Sequence, residues 1–176
     1  MGEVIVPGER IMQRLDELAA EIAAAYPGGE LTLLAVMNGA LFFLADLARR
    51  LPMRVELTTV RVRSYRGREV RPGGAEIVGE LCDDLSGREV LIVDDILDTG
   101  STLDLVAEAV ASQRPASCRV CVLLRKGRPD ARPARADFVG FDIPDRFVVG
   151  YGLDLDGWGR NLTDIVALTE DAGDRK

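Results

Sequence analysis

Histidine is absent from the 176 residues of the chain, and this absence removes several kinds of active site. A Ser-His or Cys-His nucleophile pair, a zinc site with histidine ligands and a histidine general base are all excluded. Acid-base chemistry must therefore come from carboxylates, lysine, tyrosine or cysteine. Lysine is scarce as well. Of the 22 basic residues only Lys126 and Lys176 are lysines, so Lys126 stands out within an arginine-rich chain.

Cysteine is also rare, with only Cys82, Cys118 and Cys121. Without a recognisable secretory leader, an odd number of cysteines favours a reduced, cytoplasmic setting over a disulfide scaffold. Cys118 and Cys121 have the spacing of a metal or redox motif, but they fall in a predicted strand, where residues three apart point to opposite faces. We interpret them as buried structural cysteines.

Positive charge is in deficit, with a net charge of -7 and a pI near 4.7, which argues against a broad nucleic-acid-binding surface. One apolar run, residues 31–48, approaches membrane-spanning length, but polar residues and a Met-Asn-Gly sequence interrupt it. We interpret this run as a strand, a turn and a helix. The composition favours action on small molecules, with neither nucleic acid nor a membrane as partner.

Apolar periodicity predicts helices around residues 11–22, 40–50 and 102–112. The predicted strands cover residues 31–36, 55–63, 77–81, 90–93, 119–124, 138–141, 147–151 and 165–168. Strands that alternate with helices in the middle of the chain predict an α/β fold, with a doubly wound, mostly parallel sheet flanked by helices. The length favours a single domain over residues 1–176.

The stretch VLIVDDILDTGSTL, residues 90–103, has the strongest chemical signal in the chain. A buried strand ends in Asp94 and Asp95, Asp98 follows, and residues 99–102 lead into a helix. Backbone N–H groups, hydroxyls and a glycine at a helix start can bind a phosphate. Three acids beside a phosphate require sugar hydroxyls, a divalent cation or a cationic transition state as partners. The motif therefore predicts a site for a phosphorylated sugar with Mg²⁺, and the structural alternative is a charged loop with Ser101 as helix N-cap.

This stretch closely resembles the 5-phosphoribosyl-1-pyrophosphate (PRPP) binding motif of type I phosphoribosyltransferases. A second stretch, ADFVGFDIPDRFVVGYGLDLDGWGRNL at residues 136–162, is similar to the hypoxanthine-guanine branch of that family. The resemblance runs from about Leu33 to Ile165. It implies the type I phosphoribosyltransferase fold with a mobile lid loop and a small hood, which is formed by the N-terminal segment and by residues from about 126 to 176.

The resemblance also implies an activity, namely purine salvage by transfer of the phosphoribosyl group of PRPP to hypoxanthine or guanine. The products are IMP or GMP and pyrophosphate, Mg²⁺ is the implied cofactor, and relatives assemble as homodimers or homotetramers. Two alternatives remain open. One is a 6-oxopurine transferase that prefers xanthine, and the other is a regulator of the same fold that senses nucleotides and binds RNA. The acidic balance and the intact Asp98 argue against the regulator.

Position within the two motifs implies a role for each candidate residue. Asp98 is the implied general base at purine N7, and Asp94 and Asp95 hold the ribose hydroxyls. The implied 5′-phosphate site comprises Asp98, Thr99, Gly100, Ser101 and Thr102. The implied purine site comprises Lys126, Phe147, Val148 and Asp154. The implied pyrophosphate site comprises Asn38, Gly39 and Arg160.

Three further expectations follow from the resemblance. Asp154 is the implied Mg²⁺ ligand, with Asp94 and Asp95 as additional candidates. Ser64 and Tyr65 belong to the implied lid. Relatives often have lysine where Asn38 and Ser101 stand, so the charge that faces the pyrophosphate and the 5′-phosphate differs in this chain. In relatives, the peptide that corresponds to Asn38-Gly39 can be cis.

Overall fold

The computed structural model describes residues 2–64, 75–79, 81, 84–127 and 136–168. Its helices are α1 (Gly8–Ala25), α2 (Leu41–Ala48) and α3 (Ser101–Ser112). Its strands are β1 (Glu3–Val6), β2 (Glu30–Met37), β3 (Arg54–Ser64), β4 (Ala75–Ile77), β5 (Glu89–Leu97), β6 (Ser117–Lys126), β7 (Phe138–Ile143), β8 (Val148–Val149) and β9 (Ile165–Ala167).

A six-stranded sheet forms the centre of the described chain, with the strand order β4-β3-β2-β5-β6-β7. Neighbouring strands from β3 to β7 are parallel, and β4 pairs antiparallel with β3 at one edge. Helices separate β2 from β3 and β5 from β6, as the alternation in the sequence indicates. The predicted α/β fold with a mostly parallel sheet is confirmed.

Both faces of this sheet are covered by helices. Leu91 and Val93 of β5 pack into one cluster with the buried sides of α1 and α2, whereas Val90 and Ile92 pack into another cluster with α3. Burial on both faces is the reason that β5 is a continuous apolar run. Cys118 and Cys121 of β6 also contact different clusters, and both are free thiols. Their spacing therefore does not bring the two sulfurs together.

A smaller, three-stranded sheet joins the two ends of the described chain in the order β1-β9-β8. Both pairings are antiparallel. The Gly8 N–H at the start of α1 donates a hydrogen bond to Asp164 Oδ1 at 2.7 Å, which ties this helix to the segment before β9. The small sheet thus contains parts of both segments expected to form the hood, and a single domain over residues 1–176 with that hood stays a prediction.

The strands differ from the predicted ones in three places. The sequence does not predict β1, because four residues are too few for a periodic signal. The strand expected at 77–81 is β4 at Ala75–Ile77 instead. The strand expected at 147–151 ends at Val149, since residues 150, 151 and 152 all have positive φ, which an extended strand does not allow. Within the described chain, each helix is too short or too polar to cross a membrane.

Candidate active site

The carboxyl ends of β2, β5 and β6 bring most of the candidate residues to one edge of the large sheet. β5 lies between the other two strands. Val93 pairs with Ala35, and Leu97 pairs with Arg125. Two residues beyond Val93, this register sets Asp95 level with the end of β2. One residue beyond Leu97, it sets Asp98 level with Lys126.

Asp94 and Asp95 are adjacent carboxylates at the end of β5. Asp94 is 4% exposed, and its Oδ1 accepts a hydrogen bond from the Asp95 N–H at 2.9 Å. Burial raises the pKa of Asp94 well above its ordinary value, and the adjacent Asp95 charge raises it further. Burial also raises the pKa of Asp95, although a hydrogen bond with Asp94 and the charge of Arg160 oppose that rise. Hydroxyl donors or a cation would stabilise the ionised pair.

The loop after Asp98 has the geometry of an anion site at the start of α3. Gly100 is the helix N-cap, with a φ of 86° that glycine adopts without strain. This helix start has no side-chain cap bond in the described chain, so the first-turn N–H groups remain for another acceptor. Thr99 Oγ1 and Ser101 Oγ lie 3.0 Å apart beside them. The alternative with Ser101 as N-cap is wrong, because Ser101 is the first residue of the helix.

Lys126 lies between two carboxylates at the end of β6. Its Nζ is 3.3 Å from Asp98 Oδ2 and 3.4 Å from Asp145 Oδ1, and its side chain is 10% exposed. An ammonium group has three donors, so a ligand that enters beside Asp98 can accept a hydrogen bond from it. The sequence does not single out Asp145, whose one available signal is its position two residues before Phe147.

Phe147 precedes β8, and Val148 is the first residue of that strand. Asp145 lies two residues before Phe147. Val148 is buried and pairs with Ala167, and the half-buried Phe147 accepts a hydrogen bond from the Leu168 N–H at 3.0 Å. The small sheet therefore holds the backbone of both residues. The ion pair of Asp145 with Lys126 connects the segment that precedes them to the carboxyl edge of the large sheet.

Gly39 brings the turn after β2 into contact with the acidic pair. A Cβ added to Gly39 would lie 1.8 Å from Asp95 Oδ2, and one added to Gly152 would lie 2.1 Å from the Gly39 carbonyl oxygen. Only glycine fits at either position. The carbonyl of Gly152 accepts a hydrogen bond from Arg160 at 2.5 Å, and Arg160 also pairs with Asp154 Oδ1 at 2.6 Å. Asn38, Gly39, Asp154 and Arg160 thus form a second group beside Asp95.

The remaining candidates are only partly described. The Met37-Asn38 peptide is the one cis bond of the described chain, so the Asn38-Gly39 peptide, for which the resemblance raises that geometry, is trans. Ser64 is the last residue of β3. Tyr65 lies outside the described residues. The role of Ser64 and Tyr65 as a lid stays a prediction.

Paired acids, a hydroxyl-rich helix start and two glycine turns at the carboxyl edge of a parallel sheet are typical of α/β proteins that bind ligands at the strand ends. The family model of the phosphoribosyl transferase domain matches residues 2–156. The chain belongs to this family.

Similar proteins agree with this assignment. The hypoxanthine-guanine phosphoribosyltransferase of Mycobacterium avium is 43% identical over 173 residues, which cover 94% of this chain and 84% of that protein. The hypoxanthine phosphoribosyltransferase structure from Staphylococcus aureus is 33% identical with a TM-score of 0.91, covering 98% of this chain and 94% of that one. The Trypanosoma cruzi enzyme in complex with the product IMP is 35% identical with a TM-score of 0.88, covering 96% of this chain and 95% of that one.

The raised pKa of Asp94 predicts an unusual pH dependence of stability without ligand. A carboxyl group whose pKa rises on folding keeps its proton in the folded protein at a pH where the unfolded chain has released it. The free energy of unfolding therefore falls as the pH increases above about 4, the ordinary carboxyl value. We expect Asp94→Asn to reduce this fall and to raise the free energy of unfolding at pH 7, because an amide at this position has no charge to bury.

Urea denaturation from pH 4 to pH 8 measures this effect, and Asp142→Asn is the matched control. Pairing with Arg125 lowers the pKa of Asp142, so its ionised form favours folding above the ordinary carboxyl value. The control should therefore lose a little stability at pH 7. Equal destabilisation by both variants would show that burial of Asp94 carries no electrostatic cost.

Proposed function

We propose that this protein is a purine salvage enzyme, a hypoxanthine-guanine phosphoribosyltransferase. It transfers the phosphoribosyl group of PRPP to hypoxanthine or guanine and releases IMP or GMP and pyrophosphate. One observation above all supports this proposal. Lys126 stands 3.3 Å from Asp98, so a donor for a purine oxygen and a base for a purine proton lie side by side above a phosphate loop.

The sugar and its phosphate bind at the end of β5 and the start of α3. Asp94 and Asp95 accept hydrogen bonds from the ribose 2′- and 3′-hydroxyls, which add donors to this carboxylate pair. The 5′-phosphate accepts hydrogen bonds from the N–H groups and hydroxyls of residues 99–102, where the helix dipole also favours an anion. Ser101 replaces a lysine that is frequent in relatives, so this phosphate is held mainly by neutral donors.

The purine binds between the end of β6 and the start of β8. Lys126 donates to the 6-oxo group, and Asp98 accepts the N7 proton as N9 forms its bond to the anomeric carbon. Phe147 stacks on the base, and the backbone of Val148 contacts the ring edge. As pyrophosphate departs, positive charge develops at the anomeric carbon, and the adjacent carboxylates stabilise it.

Pyrophosphate binds at the second group of residues, where Arg160 and the N–H groups of the Asn38-Gly39 turn are the donors. Asn38 contributes no charge, so Arg160 is the principal described cation there. Hard oxygen ligands fit Mg²⁺, and Asp154 with the Asp94-Asp95 pair offers carboxylate oxygens on both sides of this group. When bound, Mg²⁺ neutralises charge on the leaving pyrophosphate.

We also propose that the enzyme is a cytoplasmic homodimer or homotetramer. The exposed apolar side chains of Leu41, Phe42 and Leu162 support self-association. The free thiols of Cys118 and Cys121 fit a reducing compartment.

The activity is tested by pyrophosphate release from PRPP and Mg²⁺ with five bases, namely hypoxanthine, guanine, xanthine, adenine and uracil. We expect turnover with hypoxanthine and guanine, because both present a 6-oxo group to Lys126, and its loss when EDTA removes Mg²⁺. A clear preference for xanthine would correct the substrate. No turnover with any base would contradict the enzymatic proposal and favour a regulator of this fold.

Assignment of Asp98 as general base is tested by Asp98→Asn. We expect kcat to fall by about 10² to 10⁴, because an amide cannot accept the N7 proton. Binding of PRPP, measured by calorimetry, should persist. Asp104→Asn, in the first turn of α3, is the matched control and should retain activity. Unchanged kcat in Asp98→Asn would remove Asp98 from the reaction.

The role of Lys126 in base recognition is tested by Lys126→Ala. We expect the KM for hypoxanthine to rise by about 10- to 100-fold, since a charge-assisted hydrogen bond to the 6-oxo group is lost. The KM for PRPP should change far less. The control is Arg125→Ala, because Arg125 precedes Lys126 on the strand and pairs with Asp142 at the surface. An equal rise of both KM values in Lys126→Ala would argue against base recognition.

A further inference from the structure

Tyr151 takes no part in the proposed reaction, yet its backbone has an unfavourable conformation. Its φ is 48°, and it stands between Gly150 at 105° and Gly152 at 106°. Residues other than glycine rarely adopt a positive φ. A third glycine would satisfy this turn more easily, so the contacts of the tyrosine side chain must offset the strain.

Those contacts are with the helix that follows the Asn38-Gly39 turn. The Tyr151 hydroxyl donates a hydrogen bond to Asp46 Oδ2 at 2.6 Å, and its ring centroid is 6.4 Å from that of Phe42. Phe42 and Asp46 are four residues apart on α2 and therefore share one face of the helix. The ring of Tyr151 is buried, and a bond from a buried hydroxyl to a carboxylate is among the stronger hydrogen bonds in proteins.

The backbone after Tyr151 contacts both parts of the pyrophosphate group. Gly152 lies against the Gly39 carbonyl with no room for a Cβ, and its own carbonyl accepts the hydrogen bond from Arg160. The Gly152 N–H in turn donates to the Arg160 carbonyl at 3.0 Å. A shift of the 150–152 turn would therefore move Arg160 relative to Gly39.

Tyr151 contacts both packed core side chains and a cavity. A cavity of about 580 Å³ adjoins the Tyr151-Asp46 pair, and Met12, Leu162 and Thr163 are among its other lining residues. Tyr151 also belongs to the buried core, so packing holds its ring, and the bond to Asp46 fixes the position of the hydroxyl beside this cavity.

We propose that Tyr151 is a positioning residue for pyrophosphate. Its hydroxyl anchors the 150–152 turn to Asp46 of α2 and thereby fixes the spacing between the Asn38-Gly39 turn and Arg160. This inference rests on the proposed function, in which both of those elements bind the pyrophosphate group. Tyr151 acts through them and does not touch the substrate.

The test is a comparison of steady-state kinetics for Tyr151→Phe in both directions of the reaction. We expect the KM for PRPP, and the KM for pyrophosphate in the reverse reaction with IMP, to rise by about 5- to 20-fold. The KM for hypoxanthine should stay within about twofold, because Lys126 and Phe147 are held by other elements. This split between substrates is a readout that a general loss of stability would not produce.

Three further variants separate positioning from folding. Tyr26→Phe makes the same change at a buried tyrosine near the start of β6, at the opposite edge of the sheet, and should leave every KM unchanged. Asp46→Asn retains an acceptor and should behave almost like the wild type, whereas Asp46→Ala should match Tyr151→Phe. The double variant Tyr151→Phe with Asp46→Ala should be no worse than either single variant, as expected for two partners of one bond.

Two results would overturn the inference. One is an unchanged KM for PRPP and pyrophosphate in Tyr151→Phe, and the other is an equal rise in the KM of all substrates. If Tyr151→Phe fails to fold, the same comparison with Asp46→Ala and Asp46→Asn decides the matter. Turnover by the wild type shows whether the proposed function fails or only this inference. A wild type inactive with every purine contradicts the proposed function and this inference with it, whereas an active wild type with an unaffected Tyr151→Phe contradicts this inference alone.

Discussion

Two carboxylates stand side by side at the end of the central strand, and one of them is buried. Asp94 and Asp95 cannot both ionise there without a compensating partner, because burial and mutual repulsion each favour the protonated form. Under the proposed function, the stability lost by keeping such a pair is the cost of a binding site. The pair explains why the neighbouring elements bring donors and positive charge toward the end of β5.

The approach of those elements depends on glycine. Gly39 allows the turn after β2 to contact Asp95, and Gly152 allows the C-terminal part of the chain to contact Gly39 in turn. Arg160, which is attached to Gly152 by two hydrogen bonds, follows them toward the acids. The proposed pyrophosphate half of the site thus depends on close approach of the backbone at Gly39 and Gly152. In the proposed purine half, strand register brings Lys126 level with Asp98, and the Lys126 side chain pairs with it.

Periodicity in the sequence was sufficient for the large sheet, because β2, β5 and β6 are apolar runs that only a two-sided core explains. It was also sufficient to locate the acids, since Asp94 and Asp95 interrupt such a run at the carboxyl end of its strand. A short element such as β1 is not predictable in this way, because tertiary pairing rather than local propensity forms it.

Contacts between residues that are far apart in the sequence were not predictable from it either. The hydrogen bond from Tyr151 to Asp46 spans 105 positions, and the pairing of Lys126 with Asp145 depends on β7 and its following turn. A tyrosine between two glycines indicates a special turn but not its partner.

A crystal structure of this protein with IMP bound would test the proposed site most directly. We expect the phosphate on residues 99–102, the ribose hydroxyls on Asp94 and Asp95, and the 6-oxo group within hydrogen-bond distance of Lys126 Nζ. A phosphate bound away from the start of α3, or a purine ring that does not contact Lys126, would contradict it.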